Sequence, residues 1–330
     1  MTKDDVLAIL INSDGYVSGE SISAAIGVSR AAVNGAVKSL KADGCVIDSV
    51  TNKGYKLTYC PDRLFAGEVY SYLDGERRKS VICLPSVDST NNRLKDMLKS
   101  DIPSGTCIIA NEQTAGRGRI GRSFISPANT GIYLSMLIRP KGTIEDLSEI
   151  TCWTAVAVHN AILSTCSVNT DIKWVNDLYI NNRKITGILT ELSIEGEIGL
   201  ATNVIVGIGV NVNQKSSDFP DELKDIATSI AAETDSEGYN RAKIAAGIIR
   251  ELDKMNDNWH EAKDEYLKIY RDNCLTIGKD VSVINYATGI SRPGHAVDVN
   301  EDFTLKVRFD DGSTEDVRSG EVSVKWDAKQ

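Results

Sequence analysis

The chain has 330 residues, 42% of them apolar and 25% charged, with a net charge of −9. That length suits two or three domains, and the acidic balance excludes a protein that coats nucleic acid or anionic membrane over its whole surface, so any nucleic-acid contact has to be local. Seven single cysteines without a C-x-x-C, three scattered histidines and no signal peptide or long uncharged apolar run predict a reduced, cytoplasmic protein with no membrane partner, no zinc site and no Ser/His nucleophile pair.

Residues 1–60 read as a unit. Val6, Leu7, Ile9 and Leu10 share one helical face, Ile22, Ala25 and Ile26 mark a short second helix, and Gly27 sits in a turn. Ser29 is placed to cap a third helix that carries Val33, Val37 and Leu40 inward. Helix, tight Gly turn and helix is the helix-turn-helix pattern, and alternating Tyr55, Leu57 and Tyr59 after Asn52-Lys53-Gly54 predict a β-wing. From Ser29 to Lys56 there are five bases against two acids, a local excess on the helix and wing where phosphates would be met. Ser29, Arg30, Asn34, Lys38, Lys41 and Lys53 are the candidate DNA contacts; a winged helix used for protein contact is the alternative.

Cys60-Pro61-Asp62 punctuates the boundary to the next domain. VICL (81–84) and TCIIA (106–110) read as buried strands, with a helix between them that Asp88, Ser89 or Thr90 could cap. TCIIA leads into Glu112–Arg122, where Arg117, Arg119 and Arg122 interleave with Gly116, Gly118 and Gly121. Glycines let successive N–H groups wrap an anion, and arginines add a permanent charge and a planar fork for phosphate or carboxylate. The P-loop pattern is absent, and composition alone leaves open a solvated basic loop or a nucleic-acid patch.

Further on, 131–140 reads as a strand and 145–166 as an apolar helix through Trp153, Val156, Val158 and Ile162. IKWVNDLYI (172–180) and RKITGILTEL (183–192) form a hairpin through Asn181-Asn182. A polar turn at Glu195-Gly196-Glu197 precedes the strand 203–213, where Gly207 and Gly209 mark close approach by a ligand or another strand. Helices are expected near 221–232 and 240–268, and short strands fill 276–327.

Five motifs in order carry a resemblance: Asp88-Ser89-Thr90-Asn91, Gln113-Thr114-Ala115-Gly116-Arg117-Gly118-Arg119, Lys173-Trp174-x-Asn176-Asp177, Lys184-Ile185-x-Gly187-Ile188-Leu189 and Gly207-x-Gly209-Val210-Asn211. Together they closely resemble the biotin–protein ligases. With both flanking units, nearly the whole chain resembles the bifunctional bacterial type that is also the biotin-operon repressor. The resemblance implies an α+β multidomain fold. It comprises a winged helix-turn-helix (1–60), a catalytic domain with a central mixed β-sheet and helices of the class II synthetase-like kind (61–275), and a small SH3-like β-barrel (276–330).

It also implies a two-step reaction. Biotin and MgATP give biotinyl-5′-adenylate and pyrophosphate, and the ε-amine of a lysine on a biotin carboxyl carrier domain, as in acetyl-CoA carboxylase, takes the biotin. The resemblance implies that Lys184, Arg119 and Arg117 are catalytic. Biotin would be held by Ser89, Thr90, Asn91, Gln113, Gly116, Arg117, Gly118, Arg119, Lys184, Gly187 and Gly207. ATP would be held by Arg119, Arg122, Phe124, Lys173, Asn176, Asp177, Lys184 and Asn211, with Mg²⁺ arriving on the nucleotide and contacts at Asp177 and Asn211. Trp174 reads as core. The repressor half implies operator DNA and an adenylate-bound homodimer as partners. The chain departs from the family's pattern at Phe124, where tryptophan is common, at Val175, where proline is frequent, and at Lys325, where an arginine often contacts nucleotide. The rival readings are a lipoate–protein ligase, separated by its acid substrate, and a small-molecule-sensing repressor without ligase activity.

Overall fold

In the computed structural model, residues 2–140, 144–194, 201–258, 261–284, 289–318 and 321–324 are described. Lys325 and the Glu195-Gly196-Glu197 turn lie outside them.

The amino-terminal unit packs α1 (Thr2–Ile11), α2 (Gly19–Ile26) and α3 (Arg30–Ala42) against a hairpin of β1 (Val46–Val50) and β2 (Gly54–Tyr59). Ser18 caps α2 by accepting from the Ser21 amide, Gly27 ends it at φ 68°, and Ser29 caps α3 by accepting from the Ala32 amide. This spacing leaves two residues between helices, Val28 and the cap Ser29, beyond the left-handed glycine. Val6, Leu7, Leu10, Ile22, Val33, Val37, Leu40 and Ile47 form a core separate from the rest of the molecule. Gly54 is required where the wing meets the turn before α2. It has φ 106°, and a Cβ there would lie 2.0 Å from the Val17 carbonyl oxygen.

The central unit begins with α4 (Ala66–Ser71) and alternates β3 (Val81–Leu84), α5 (Thr90–Met97), β4 (Cys107–Ala110), β5 (Gly131–Ile138) and α6 (Ile144–Cys166). It continues through β6 (Asp171–Lys173), β7 (Asp177–Ile180), β8 (Arg183–Ile194), β9 (Ala201–Asn211), α7 (Ile230–Glu233), α8 (Arg241–Asp257) and α9 (Lys263–Asp272). Seven strands lie in the order β3-β4-β5-β9-β8-β7-β6, antiparallel except for β3 beside β4. The period-two alternation of the strands divides the two faces. Ile132, Leu134, Met136, Val204, Val206, Ile208 and Val210 join the main core with residues of α6 and α8. Leu137 and Ile205 turn to the opposite face, where Leu94 of α5 covers them.

Two connections differ from the periodicity. Only Asp221–Leu223 and Ile230–Glu233 coil in the segment expected to be helical over 221–232. Between them the chain extends beside β8: the Lys184 amide donates to the Ile226 carbonyl (2.8 Å) and the Thr228 amide to the Lys184 carbonyl (2.9 Å). The expected strand 172–180 is also interrupted, by a turn at Trp174–Asn176. There Asn176 pairs with Ile188 through both its backbone carbonyl and its side-chain amide. The long helix expected over 240–268 is two helices, the first ending at Asp257. The Asn181-Asn182 hairpin turn is as expected, with both residues at positive φ (50° and 62°).

The carboxy-terminal unit is an antiparallel sheet of β10 (Asp280–Ile284), β11 (Ser291–Val299), β12 (Leu305–Phe309), β13 (Thr314–Val317) and β14 (Glu321–Val324), in the order β13-β12-β11-β10-β14. The expected closed SH3-like barrel is not what the ladder shows among the described residues: β13 and β14 are its two edges. It is nevertheless curled. Four residues of chain reach at most about 14 Å, whereas the edges of a flat five-stranded sheet stand about 19 Å apart. This unit shares the main core with the central unit: the Trp153 ring lies 6.3 Å from that of Phe303, Tyr270 meets Phe303 edge-on, and Trp174 Nε1 donates to the Phe303 carbonyl at 2.9 Å. Trp174 is core, as expected.

Arg241, fully buried at the start of α8, ties the linker down. Its guanidinium donates to the Asp62 carboxylate and carbonyl, the Asn111 side chain and the Gly131 carbonyl at 2.8–3.0 Å.

Candidate active site

The α5 face of the sheet is hollow because three glycines stand where side chains would fill it. Gly187 and Gly209 are cross-strand partners, and Gly207 lies opposite Leu189. A Cβ at Gly207 would stand 2.3 Å from Asn91 Oδ1, and one at Gly209 would stand 2.4 Å from the Phe124 ring. The close approach expected at these glycines is thus made by two side chains from other segments. Above this floor opens a cavity of about 1170 Å³.

One end of the cavity is polar. Ser89, Thr90 and Asn91 at the start of α5 are all buried. Ser89 occupies the cap position, but its hydroxyl makes no capping bond. Gln113 caps instead: its Oε1 accepts from the Thr90 amide (2.9 Å) and hydroxyl (3.1 Å), while its Nε2 donates to Ser126 Oγ (3.0 Å). Ser135 Oγ lies 2.7 Å from Thr90 Oγ1 and 2.5 Å from Asn91 Oδ1. Asn91 Nδ2 donates to Glu191 Oε2 at 2.8 Å. Glu191 also receives Lys95 at 2.7 Å and Arg117 at 3.2 Å, and Arg117 donates to Asn92 Oδ1. Burial pushes the Glu191 carboxyl up, but hydrogen bonds from Lys95 and Asn91 and the charges of Lys95 and Arg117 outweigh it, so it sits below the ordinary carboxylate range.

The arginine loop forms the other wall as a narrow hairpin. The Phe124 amide donates to the Gly116 carbonyl (2.9 Å) and the Gly118 amide to the Arg122 carbonyl (2.7 Å). Ile120 and Gly121 turn at its tip with φ 57° and 71°. Arg119 Nη1 donates to Asn176 Oδ1 (3.0 Å), which fastens the loop to the Trp174–Asn176 turn. Beside that turn, Lys184 Nζ pairs with Asp177 Oδ1 at 2.6 Å. Lys173 places its ammonium 5.6 Å from the Tyr179 ring centroid.

The fold therefore brings most of the anticipated residues to one cavity wall: Ser89, Thr90, Asn91 and Gln113 at the polar end, Arg117, Gly118, Arg119, Arg122 and Phe124 from the loop, Lys173, Asn176, Asp177 and Lys184 from the β6–β8 segment, and Gly187 and Gly207 in the floor. Two lie off it. Gly116 is packed in the loop's neck, where a Cβ would meet the Phe124 carbonyl at 2.3 Å. Asn211 is buried at the end of β9, donating to the Thr228 carbonyl and accepting from Gln214. Residues missed by the motifs include Ser135 and Glu191 behind the polar end, Asp225 and Glu233 at the rim, and β14, whose Val322–Val324 complete the wall. An inward-facing acid four residues after the Gly187 motif was a usable signal for Glu191; β14 had none.

In the winged helix, Arg30, Asn34, Lys38 and Lys41 recur along one exposed face of α3. Lys41 also donates to Ser49 Oγ at 3.0 Å. Lys53 is exposed at the wing turn, 6.0 Å from the Tyr16 ring centroid, and Ser29 spends its hydroxyl on the cap.

Residues 83–211 match the Biotin/lipoate A/B protein ligase family, and residues 2–56 match an HTH domain. The Bifunctional ligase/repressor BirA of Bacillus subtilis is 38% identical over 235 residues, covering 71% of this chain and 71% of that protein. The protein of the same name from Escherichia coli is 32% identical over 249 residues, covering 75% and 74%. Among solved structures, the biotin protein ligase from Aquifex aeolicus in complex with biotin and ATP aligns with a TM-score of 0.63 and 28% identity, over 74% of this chain and 98% of that one. The chain belongs to the family of bifunctional ligase/repressors.

Proposed function

We propose that this ligase/repressor activates biotin with MgATP in the cavity above the β8–β9 glycines, transfers it to a lysine of a biotin carboxyl carrier domain, and uses its winged helix to repress genes in response to biotin. The observation that carries the site assignment is the union, in one cavity, of a neutral hydrogen-bonding end, a paired ammonium and an arginine loop. Ser89, Thr90, Asn91 and Gln113 supply donors and acceptors suited to a ureido group. Arg117, Arg119, Arg122 and Lys184 supply the positive charge that two approaching anions require.

In the first step a biotin carboxylate oxygen attacks the α-phosphorus, the bond to the β-phosphate bridging oxygen breaks, and pyrophosphate leaves. Asp177 holds the Lys184 ammonium toward the cavity, so its charge is in place before the reaction and costs no reorganisation. The Arg119–Asn176 bond keeps the loop against the same wall, which limits access of water to the adenylate. In the second step the unprotonated carrier amine attacks the biotinyl carbonyl, AMP departs and the amine proton passes to solvent. Among the described residues no cluster of three or more His, Cys, Asp or Glu is arranged to hold a metal. Mg²⁺ would arrive on the nucleotide, with Asp177 the residue that would hold it, and would supply shielding for the leaving pyrophosphate. Asp177 lies at that cavity; Asn211 does not, and its proposed nucleotide role is indirect, through the end of β9.

The exposed Arg30, Asn34, Lys38 and Lys41 face suits the major groove, and Lys53 suits an adjacent phosphate. Repression is assigned to a homodimer whose two winged helices read two half-sites. A sensing repressor without chemistry would have no use for the Lys184–Asp177 pair beside an arginine loop.

The test is ATP–pyrophosphate exchange with biotin, lipoate or no acid, on the parent and on Lys184→Ala. Biotin-dependent exchange that Lys184→Ala abolishes supports the assignment. Exchange with lipoate instead of biotin, or with neither, overturns it. Titration with operator DNA, with and without biotin and ATP, tests the repressor half.

A further inference from the structure

All seven cysteines are free thiols, five of them spread through the central unit. The fold brings the other two together. Cys45 immediately precedes β1 and Cys60 immediately follows β2, while Val46 and Tyr59 form the first pair of the ladder between those strands. The two cysteines thus occupy the next position at the open base of the wing. Their Sγ atoms are 3.0 Å apart. Cys45 is buried, and Cys60 is half-buried at the start of the linker. Asp43, two residues before Cys45, is paired with Lys3 (2.9 Å), and the charge of Glu68 in α4 acts on both thiols, pushing them up. After Cys60 the chain runs through Pro61 to Asp62, which Arg241 holds. The linker is therefore fixed a few residues from the thiols, and this holds Cys60 opposite Cys45.

We propose that Cys45 and Cys60 form a reversible thiol-oxidation site whose co-substrate is a small disulfide of the glutathione class. Cys60 is the sulfur that a solute can reach; the hydrogen bond with Cys45 and burial hold its proton on it, and when that proton leaves, Cys60 attacks the oxidised glutathione disulfide, one glutathione leaving as thiolate and taking up that proton. The Cys45 thiol then gives up its proton, its sulfur attacks Cys60 Sγ in the mixed disulfide, and the second glutathione leaves as the thiol. Two protein thiols are oxidised, and one glutathione disulfide is reduced to two thiols. The sulfurs need to close by about 1 Å to reach bonding distance, which small rotations about both Cα–Cβ bonds supply. The product staples the base of the wing, joining the end of α3 to the linker. In a reducing compartment the pair rests as thiols, the usual behaviour of a redox-sensing pair rather than a structural disulfide. The site stands on this geometry alone and does not rest on the DNA reading above.

The experiment uses the full chain, equilibrated in buffers running from reduced to oxidised glutathione, quenched with acid, denatured and alkylated. The number of alkylated thiols should fall by two from seven. Peptide mapping should join the Cys45 and Cys60 peptides with the mass of two hydrogens lost, and dithiothreitol should restore all seven thiols. Cys45→Ser should stop at a glutathione adduct on Cys60, and Cys60→Ser should lose no thiol. The milder Cys60→Ser change guards against misfolding of the buried Cys45 variant. Pyrophosphate exchange, run in parallel, should not change on oxidation, because neither sulfur touches the cavity. A full set of seven thiols in oxidised glutathione, cross-linked peptides from other cysteines, a parent that stops at the Cys60 adduct, or loss of exchange on oxidation would each overturn the proposal.

Discussion

Gly207→Ala puts a single methyl group where Asn91 Oδ1 stands 2.3 Å away, with Asn91 Cγ and Nδ2 at 2.9 Å. No real Cβ tolerates that approach, so one side must yield. The backbone of β9 is held on both sides, by β5 and β8, leaving Asn91 to move. Asn91 is buried and anchored to Glu191 at 2.8 Å and to Ser135 at 2.5 Å. Losing one hydrogen bond to a charged group and one to a neutral group costs about 3 kcal/mol. Urea denaturation of Gly207→Ala should show that loss, and calorimetric titration should show biotin affinity reduced by about a hundredfold, as Asn91 leaves the polar end. The decisive comparison is the double mutant. In an Asn91→Ala background the methyl meets empty space, so Gly207→Ala should be close to neutral, a coupling of at least about 2 kcal/mol. Additive costs in the double mutant would refute the claim that this glycine exists to make room for Asn91.

Glu191→Gln keeps an acceptor for Asn91 but removes the charge that gathers Lys95 and Arg117. It should raise KM for biotin by about tenfold with a smaller effect on kcat, and an unchanged KM in steady-state assays would remove Glu191 from the positioning network. Arg241→Lys cannot reach the acceptors that the guanidinium spans from full burial. It should destabilise the chain by about 3 kcal/mol in urea, discounted for the partly exposed Asp62, and a midpoint matching the parent's would contradict the linker anchoring. Burial pushes the Glu68 carboxyl up to about 7, against the opposing hydrogen bond from the Phe65 amide. Its folded pKa lies above the unfolded value, so its contribution to stability is full at low pH and is lost as pH rises through 7. Glu68→Gln should therefore gain on the parent by about 2 kcal/mol between pH 5 and pH 8; parallel stability curves would show that the carboxyl is solvated.

Local chemistry wrote its conclusions plainly. The cap at Ser29, the glycine at Gly27, the Asn181-Asn182 turn and the strands expected near 131–140 and 203–213 are all decisions made within a few residues, and each stands in the fold. The arginine loop and the glycines of β9 were legible as places of close approach, but the approaching groups were not. Asn91 and Phe124 reach Gly207 and Gly209 from far along the chain, and no periodicity encodes that pairing. The same holds for Gln113, which takes over the capping role expected of Ser89, and for Asn211, whose motif position suggested the cavity but whose side chain closes the end of a strand. The segment before α7 has helical spacing, yet it pairs beside Lys184 because β8 offers free backbone groups there. An open or closed carboxy-terminal sheet depends on whether two edges meet, a property of curvature rather than of any one strand. The thiol pair is the extreme case, since only the closure of the wing makes neighbours of Cys45 and Cys60.

That β14 forms part of the cavity wall has a consequence for how the chain is made. The winged helix has its own core within the first 60 residues and can be complete while synthesis is still under way. The cavity, in contrast, lacks Val322–Val324 until residue 324 has been made. A translation product that stops before Glu321 would keep the winged helix and the polar end of the cavity but would lack the wall that β14 supplies. The last strand to be made thus decides when the cavity is complete, long after the amino-terminal fold can form.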